Sequence, residues 1–275
     1  MSVALDKNLR IIYLISIMTT LALKGDCLEV MKELPDASVD CFMCDLPFGI
    51  LINQSGSSKK EGSSADWDIK INLEQFWTQV KRLCKSEDTP VIMFCTTSFG
   101  VELINSNPSW FRYDLVWNKL RKVGHLNCNR MPMRQHENIY IFAKKGAYYK
   151  RIDEIEEGRT GYSYKAQKPI QNSCYGTSDK VACSQEDGHR VVASVLNIAG
   201  ILKQGNHPTE KPVSLYEWLL KRYCKEGGVV VDPTAGSFNS IIACKNLGLI
   251  GIGIEMNEKY FKKGCEKLGQ EVPEV

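Results

Sequence analysis

This 275-residue sequence lacks the features that mark several classes of protein. It contains no internal repeat of any period, so a solenoid or a propeller is not expected. Its net charge is only +3, which is too small to imply a partner by itself. The apolar-biased stretch at residues 11–23 spans about 13 residues, fewer than a helix needs to cross a bilayer. We therefore expect no association with a membrane.

No Ala-x-Ala-like cleavage site follows that apolar stretch, and a structural motif begins at Lys24. We interpret residues 1–19 as an N-terminal extension rather than a secretory signal. The sequence leaves open whether translation starts at Met1 or Met18.

A metal-binding arrangement of cysteines is also lacking. The sequence has 11 cysteines, an odd number at irregular spacings. Cys41 and Cys44 form a Cys-x-x-Cys pair, but no second pair stands at a spacing typical of a zinc ribbon. Residues three apart on a strand point to opposite faces of the sheet. We predict structural thiols, no metal site and a reducing, intracellular compartment.

The order of apolar segments predicts an α/β fold with a doubly wound, mostly parallel sheet. Strands are predicted at residues 20–23, 39–44, 90–96, 229–231 and 249–254, and helices at 27–34, 73–84, 213–223, 237–247 and 257–268. Further strands are predicted at 113–117 and 139–143. The chain turns polar over residues 146–205, where we predict an inserted recognition region between residues 20–145 and residues 206–275.

Charge is distributed unevenly along the chain. Residues 112–150 carry nine Lys and Arg against two acids, whereas residues 26–70 carry nine acids against four lysines. A basic block of this kind predicts a phosphate-binding surface, and a solvated face is the alternative. The candidate nucleic-acid contacts within the block are Lys119, Arg121, Lys122, Arg130 and Arg134.

A loop typical of ligand binding follows the strand Val229-Val230-Val231 and opens a helix. It reads Asp232-Pro233-Thr234-Ala235-Gly236-Ser237. Small residues let a ligand approach the backbone, and the N-terminus of the helix presents free N–H groups. Glu255 stands about 20 residues beyond the glycine, the position suited to ribose hydroxyls. A dinucleotide-binding GxGxxG pattern is lacking, because Met256 stands where its last glycine belongs and Gly251 and Gly253 lie inside a strand.

The tetrapeptide Asp45-Leu46-Pro47-Phe48 follows another predicted strand and is the candidate reactive site. This grouping suits the amino group of a nucleobase. Such an aromatic exocyclic amine is a poor nucleophile because its lone pair is delocalised into the ring. The Asp45 carboxylate can accept one N–H of such an amine, and the carbonyl of Leu46 or Pro47 can accept the other. Phe48 can stack on the base, with a contribution of about 1–3 kcal/mol.

Together these motifs resemble the β group of amino-DNA methyltransferases, in which the catalytic motif precedes the cofactor motif. The resemblance rests on DLPF (45–48), HPTEKP (207–212), and DPTAGS (232–237) followed by IGIEMN, and it covers residues 20–145 and 206–270. Gly25-Asp26, Trp67-Asp68, Trp117-Asn118-Lys119 and His136-Glu137-Asn138 also fall where such enzymes carry similar residues.

The resemblance implies a Rossmann-like methyltransferase fold with S-adenosylmethionine as the cofactor and roles for individual residues. Asp26 would contact the cofactor adenine, Glu255 would hold its ribose, and Lys211 would lie near its carboxylate. The residues expected around its methionine part are Asp232, Thr234, Ala235, Gly236 and Ser237. DLPF, rather than a serine-led tetrad, implies adenine N6 over cytosine N4 as the target.

The chain departs from the family pattern at two positions. Phe48 replaces the usual tyrosine but keeps the stacking face. Phe238 stands where glycine is common, so we expect it to narrow the cofactor loop. His207 is interpreted as a structural or cofactor-side residue rather than a general base.

The resulting hypothesis is a site-specific DNA methyltransferase that acts on an adenine rotated out of double-stranded DNA. Residues 53–65 are interpreted as a lid or a DNA-embracing segment. The expected setting is the cytoplasm of a bacterium or a phage-infected cell, with or without a restriction partner. The sequence itself leaves the oligomeric state open, and the resemblance implies a homodimer. A cytosine-N4 or RNA methyltransferase remains open as an alternative, and so does a non-catalytic nucleic-acid-binding protein that keeps the fold.

Overall fold

The computed structural model describes residues 18–49, 69–155, 189–201 and 210–272, together with the backbone of four short strands between residues 162 and 185. The chain forms two compact units, Met1–Tyr149 with Ser194–Val275, and Lys150–Ala193. The predicted lid at residues 53–65, Trp67-Asp68 and His207 lie outside the described residues.

The larger unit contains eight strands and six α-helices among its described residues. The strands are β1 Thr20–Lys24, β2 Cys41–Cys44, β3 Val91–Cys95, β4 Phe111–Val123, β5 Arg134–Phe142, β12 Val195–Asn197, β13 Val229–Asp232 and β14 Ile250–Glu255. The helices are α1 Cys27–Lys32, α2 Leu73–Leu83, α3 Thr97–Ser106, α4 Val213–Tyr223, α5 Asn239–Asn246 and α6 Glu258–Leu268.

These strands form one sheet in the order β1-β14-β13-β2-β3-β5-β4-β12. Neighbouring strands run parallel except at β5, which is antiparallel to both β3 and β4. The pairing of β13 with β2, through Val230 with Cys41 and Val231 with Phe42, brings two distant parts of the chain side by side. The predicted doubly wound, mostly parallel fold is confirmed.

The central strands are buried on both faces. Every residue of β2 and β3 is buried, as expected for strands that lie between two layers of helices. One core cluster joins the sheet to Met31 of α1, Phe76 of α2 and Leu103 of α3, and a second joins it to Leu215 of α4 and Ala243 of α5. Cys41 and Cys44 lie in different clusters, on opposite faces of the sheet.

Polar caps fix where the helices begin. The Asn72 side chain accepts a hydrogen bond from the Gln75 N–H at 3.0 Å, which starts α2 one turn before its buried face. Asn257 caps α6 in the same way, and Gly269, at φ 69°, ends that helix in the left-handed conformation.

The structure differs from the sequence-based prediction in four elements of the larger unit, namely α3, β4, β5 and β12. Helix α3 was not predicted. The strands predicted at 113–117 and 139–143 extend to Val123 and back to Arg134, so most of the basic segment lies on a long hairpin.

The smaller unit consists of short antiparallel strand pairs. They are β6 Glu154–Ile155 with β11 His189–Arg190, β7 Tyr162–Tyr164 with β10 Cys183–Gln185, and β8 Gln167–Asn172 with β9 Gly176–Lys180. Its bounds are narrower than the predicted recognition region, because β12 belongs to the main sheet.

Within the described ranges, no helix combines the length and the apolar composition that crossing a membrane requires.

Candidate active site

A cavity of about 850 Å³ opens at the carboxyl ends of four parallel strands. The residues directly after these strands line it: Asp26 beyond β1, Asp45 after β2, Pro233 after β13 and Met256 after β14. Ligands of open α/β sheets bind at this edge. The predicted reactive tetrapeptide and the predicted cofactor loop therefore face one cavity.

The loop after β13 is held by hydrogen bonds to its own acidic residue. The Thr234 N–H donates to Asp232 Oδ1 at 3.0 Å, and the Ser240 hydroxyl donates to Asp232 Oδ2. Asp232 is 2% exposed and does not line the cavity. Burial raises the pKa of Asp232 to about 7, although the bonds from Ser240 and Thr234 pull it down. Asp232 thus shapes the loop from behind, while Thr234, Ala235, Gly236 and Ser237 line the cavity.

Glu255 lies across the loop from these residues. Its carboxylate accepts the Gly236 N–H at 2.9 Å and the Asn257 N–H at 2.7 Å. Gly236 has φ 50°, a left-handed conformation that glycine adopts without strain. Burial raises the pKa of Glu255 overall, although the hydrogen bonds from backbone N–H groups act to lower it. The carboxylate is fixed at the cavity wall, where it can also accept hydroxyl groups of a ligand.

The expectation that Phe238 narrows the cofactor loop is wrong. Phe238 is fully buried, does not line the cavity and has φ 61°. Its ring packs against two glycines. A Cβ on Gly264 would come within 2.2 Å of the ring, and a Cβ on Gly253 would come within 2.8 Å. The left-handed backbone turns the ring into the core between β14 and α6, away from the loop.

Asp26 lines the cavity and also starts α1. Its Oδ1 accepts the Leu28 N–H at 2.7 Å, which is the bond of a helix N-cap. The predicted contact with a cofactor adenine stays a prediction.

The predicted reactive tetrapeptide is anchored to the predicted cofactor loop. The Thr234 hydroxyl donates to the backbone carbonyl of Asp45 at 3.1 Å. Leu46 is buried in the core, and the Phe48 ring packs on Phe99 with ring centroids 5.0 Å apart. Asp45, Leu46, Pro47 and Phe48 all line the cavity.

The Asp45 side chain belongs to a cluster of four charges. The Lys211 ammonium binds Asp45 Oδ2 and lies 3.6 Å from Glu137 Oε2, and Lys119 binds Glu137 Oε1. Lys211 is only 4% exposed, and its Nζ also lies 4.7 Å from the centroid of the Phe94 ring. The cluster contains two cations and two anions, as a buried group of charges requires.

The cluster sets the protonation of its members. Burial raises the pKa of Asp45, opposed by Lys211 and reinforced by Glu137. Burial also acts to raise the pKa of Glu137, but Lys211 and Lys119 lower it overall. For Lys211, burial acts to lower the pKa, and the Asp45 and Glu137 carboxylates raise it overall. Lys211 and Glu137 are therefore charged at neutral pH.

The structure gives two lysines other charged partners than the sequence-based assignments expected. Lys211 was expected near the cofactor carboxylate, but its anionic partners in the described part of the chain are Asp45 and Glu137. Lys119 was grouped with the nucleic-acid contacts, but its ammonium binds Glu137, and its side chain is only 18% exposed. The other four basic candidates are exposed on the hairpin of β4 and β5: Arg121, Lys122, Arg130 and Arg134.

Glu137 was not among the predicted site residues, although it lines the cavity. The sequence carried one signal for it, the match of His136-Glu137-Asn138 to a family element.

The fold and the cavity define a class of protein, a Rossmann-like fold in which the tetrapeptide Asp45–Phe48 and the small-residue loop Thr234–Ser237 line one ligand cavity. A family model described as DNA methylase matches residues 39–266. The chain belongs to this DNA methylase family, and the predicted DNA methyltransferase is confirmed.

Named relatives agree with the family. The chain is 26% identical over 272 residues to the Type II methyltransferase M.HinfI of Haemophilus influenzae, covering 91% of this chain and 68% of that protein. It is 24% identical over 258 residues to the DNA adenine methyltransferase YhdJ of Escherichia coli (strain K12), covering 89% and 81%. The solved structure of the cytosine-N4-specific PvuII DNA methyltransferase shares the fold, with a TM-score of 0.59, 14% identity, and coverage of 91% and 92%.

Proposed function

We propose that this chain transfers a methyl group from S-adenosylmethionine to the exocyclic N6 of an adenine rotated out of double-stranded DNA. The observation that carries the proposal is the hydrogen bond from Thr234 to the Asp45 carbonyl at 3.1 Å, within one cavity that both motifs line. An acceptor for an amine and a loop for a methyl donor thereby lie within reach of one another.

The charge of the cavity wall fits this cofactor. Six acids but only two lysines stand among the described residues that line it: Asp26, Asp45, Glu137, Glu210, Glu255 and Glu258 against Lys70 and Lys211. An acidic wall favours a cationic ligand. When bound, S-adenosylmethionine supplies an electrophilic methyl group on a positively charged sulfur. Glu255 would accept its ribose hydroxyls, Asp26 would face its adenine, and Thr234 to Ser237 would surround its methionine part.

The tetrapeptide supplies acceptors for the target amine. Asp45 accepts one N–H of the amino group through its carboxylate. Within the described part of the chain, no hydrogen bond reaches the carbonyl oxygen of Leu46 or Pro47, so either can accept the second N–H. Accepting both N–H groups raises electron density on the nitrogen that is methylated. Phe48, supported by Phe99, offers its ring as a stacking surface for the base.

The basic hairpin supports binding to DNA. Rotating a base out of the stack costs a few kcal/mol. Phosphate contacts from Arg121, Lys122, Arg130 and Arg134 contribute to offsetting that cost, and base contacts from residues 146–205 set the recognition sequence.

The choice of adenine rests on the tetrapeptide and on one relative. DLPF resembles the adenine-N6 type rather than the serine-led type, and YhdJ is named as a DNA adenine methyltransferase. The fold does not discriminate, because the PvuII enzyme is cytosine-N4-specific.

Label transfer followed by nucleoside analysis tests the proposal. The purified chain is incubated with methyl-tritiated S-adenosylmethionine and either unmethylated duplex DNA or RNA, and the nucleic acid is then digested for mass spectrometry. We expect label in DNA and N6-methyladenine among the nucleosides. N4-methylcytosine, or label in RNA alone, would replace the target in the proposal. Binding of DNA without any label transfer would make the chain a non-catalytic binding protein.

The setting of the enzyme belongs to the same proposal. We place it in the cytoplasm of a bacterium or a phage-infected cell, as a homodimer. Light scattering of the purified chain tests the dimer, since a mass of about 62 kDa is expected against 31.0 kDa for one chain.

A further inference from the structure

Glu137 shares a lysine with the reactive carboxylate. The Lys211 ammonium binds Oδ2 of Asp45 and lies 3.6 Å from Oε2 of Glu137, beyond hydrogen-bond length but within ion-pair range. That Oε2 atom is buried and has no hydrogen-bond partner among the described residues. One cation therefore stands between two carboxylates, with a full hydrogen bond to only one of them.

The second oxygen of Asp45 is differently placed. No hydrogen bond to Oδ1 is made by the part of the chain that the structure describes, and Asp45 lines the cavity. Lys211 thus occupies one oxygen of the carboxylate and leaves the other for a ligand. A lysine that had Asp45 as its one anionic partner would withdraw more negative charge from the whole carboxylate. It would thereby weaken Oδ1 as a hydrogen-bond acceptor.

Lys119 completes the arrangement from the other side. It binds Oε1 of Glu137, and its Nζ lies 5.2 Å from the centroid of the Trp117 ring. The ammonium of Lys119 keeps Glu137 ionised, so Glu137 can attract Lys211 as well. The charges alternate along the chain of contacts from Lys119 through Glu137 and Lys211 to Asp45.

We propose that Glu137 is a positioning residue of the methyl transfer, which shares Lys211 with Asp45 and so sets how much negative charge Asp45 keeps for the amino group of the base. This inference rests on the proposed function. Glu137 acts through Lys211 and needs no contact with the base. Lys119 takes part as the counter-charge that holds Glu137 in this role.

Other titratable groups face Asp45 and define the pH window of a test. Burial raises the pKa of Cys44, Cys95 and Tyr216, and that of Cys95 reaches about 12. These three groups stay neutral near pH 7. Asp232, with its pKa raised to about 7, titrates in the window and must be distinguished from Asp45.

Two substitutions should move the pKa of Asp45 in opposite directions. In Glu137→Gln, Lys211 has Asp45 as its one anionic partner within the cluster, so the pKa of Asp45 should fall. In Lys119→Met, Glu137 draws Lys211 toward itself and the pKa of Asp45 should rise. Glu87→Gln is the matched control, because Glu87 pairs with Lys144 and Lys145 outside the cavity.

The test is a carbon-13 NMR titration of aspartate carboxyl groups, with Asp45→Asn and Asp232→Asn used to assign the signals. It is paired with steady-state kinetics. We expect opposite pKa shifts in the two variants, none in Glu87→Gln, and a loss of about 10-fold in kcat for Glu137→Gln with KM for DNA changed less than about 2-fold.

A purely structural role for Glu137 would lower activity or stability in both variants without opposite pKa shifts, and that result overturns the proposal. If Glu137→Gln does not fold, the test rests on Lys119→Met alone. A pKa of Asp45 that does not rise in that variant overturns the proposal. The titration needs neither cofactor nor DNA. A wild-type chain that transfers no methyl group would therefore refute the proposed function without obscuring the charge sharing.

Discussion

The side-chain hydroxyl of Thr234 donates a hydrogen bond to the backbone carbonyl of Asp45 at 3.1 Å. The two residues are 189 positions apart in the chain. They meet because β2 and β13 are parallel neighbours, so the turns after these strands lie at the same edge of the sheet. The proposed cofactor side and the proposed target side of the cavity are thereby held in fixed positions relative to one another, as in-line group transfer requires.

The two lysines of β4 should have separable effects. Lys119 faces Glu137 inside the cluster, whereas Lys122 is exposed on the hairpin. We expect Lys119→Met to change kcat, because it alters the negative charge that Asp45 keeps, and to leave the salt dependence of DNA binding unchanged. Lys122→Met should weaken DNA binding and reduce the slope of log K against log salt by about 0.9, as loss of one phosphate contact does.

Single-turnover kinetics and binding titrations at several salt concentrations measure these two effects. If Lys119→Met reduced the salt slope of DNA binding as Lys122→Met does, Lys119 would be a phosphate contact, as the sequence-based prediction had it.

Gly264→Ala should destabilise the protein although alanine favours helices. The new Cβ would come within 2.2 Å of the buried Phe238 ring, and overpacking of this kind costs about 1–3 kcal/mol. Gly146→Ala, where no atom lies within 4 Å of the new Cβ, is the control and should change stability by less than about 0.5 kcal/mol.

A double-mutant cycle with Phe238→Gly tests the cause. Since the smaller residue removes the clash, the destabilisation by Gly264→Ala should shrink in the Phe238→Gly background. Additive free energies of unfolding would show that the ring and the glycine do not interact.

Asp232→Asn should gain stability relative to wild type as pH rises. The pKa of Asp232 is raised to about 7 in the folded chain, against about 4 in an unfolded one. The folded state therefore holds a proton that the unfolded state has lost, and this contribution disappears as pH rises through 7.

Between pH 5 and pH 8, the free energy of unfolding of Asp232→Asn should change relative to wild type by on the order of 2 kcal/mol in favour of the variant. Urea unfolding at the two pH values measures it. An equal difference at both values would mean that Asp232 is already ionised in the folded state at pH 5.

Much of the fold follows from local sequence. The all-apolar runs of β2 and β3 and the three valines of β13 indicate strands buried on both faces, and the spacing of Phe76, Trp77, Val80 and Leu83 indicates the buried face of α2. Loops at the ends of such strands are the places where chemistry is expected, which is why Asp45 and Thr234 were recognisable.

The charge cluster was not predictable in the same way. Its members come from the turn after β2, from β4 and β5, and from the segment before α4, and nothing in the local pattern reports which charges meet in space. Lys119 stood in a basic segment and looked like its neighbours. Only the pairing of β4 with β5 places it beside Glu137. The orientation of the Phe238 ring likewise depends on Gly253 and Gly264, which are distant in sequence.

The most direct test of the central claim is sequencing for modified bases in the DNA of a host that lacks adenine methylation. One culture expresses the wild-type chain and another expresses Asp45→Ala, whose binding of S-adenosylmethionine is checked by calorimetry. We predict N6-methyladenine at one recognition sequence with the wild-type chain and none with the variant, which still binds the cofactor. Equal methylation in the two cultures would contradict the assignment of Asp45, and unmodified adenine in both would contradict adenine methylation itself.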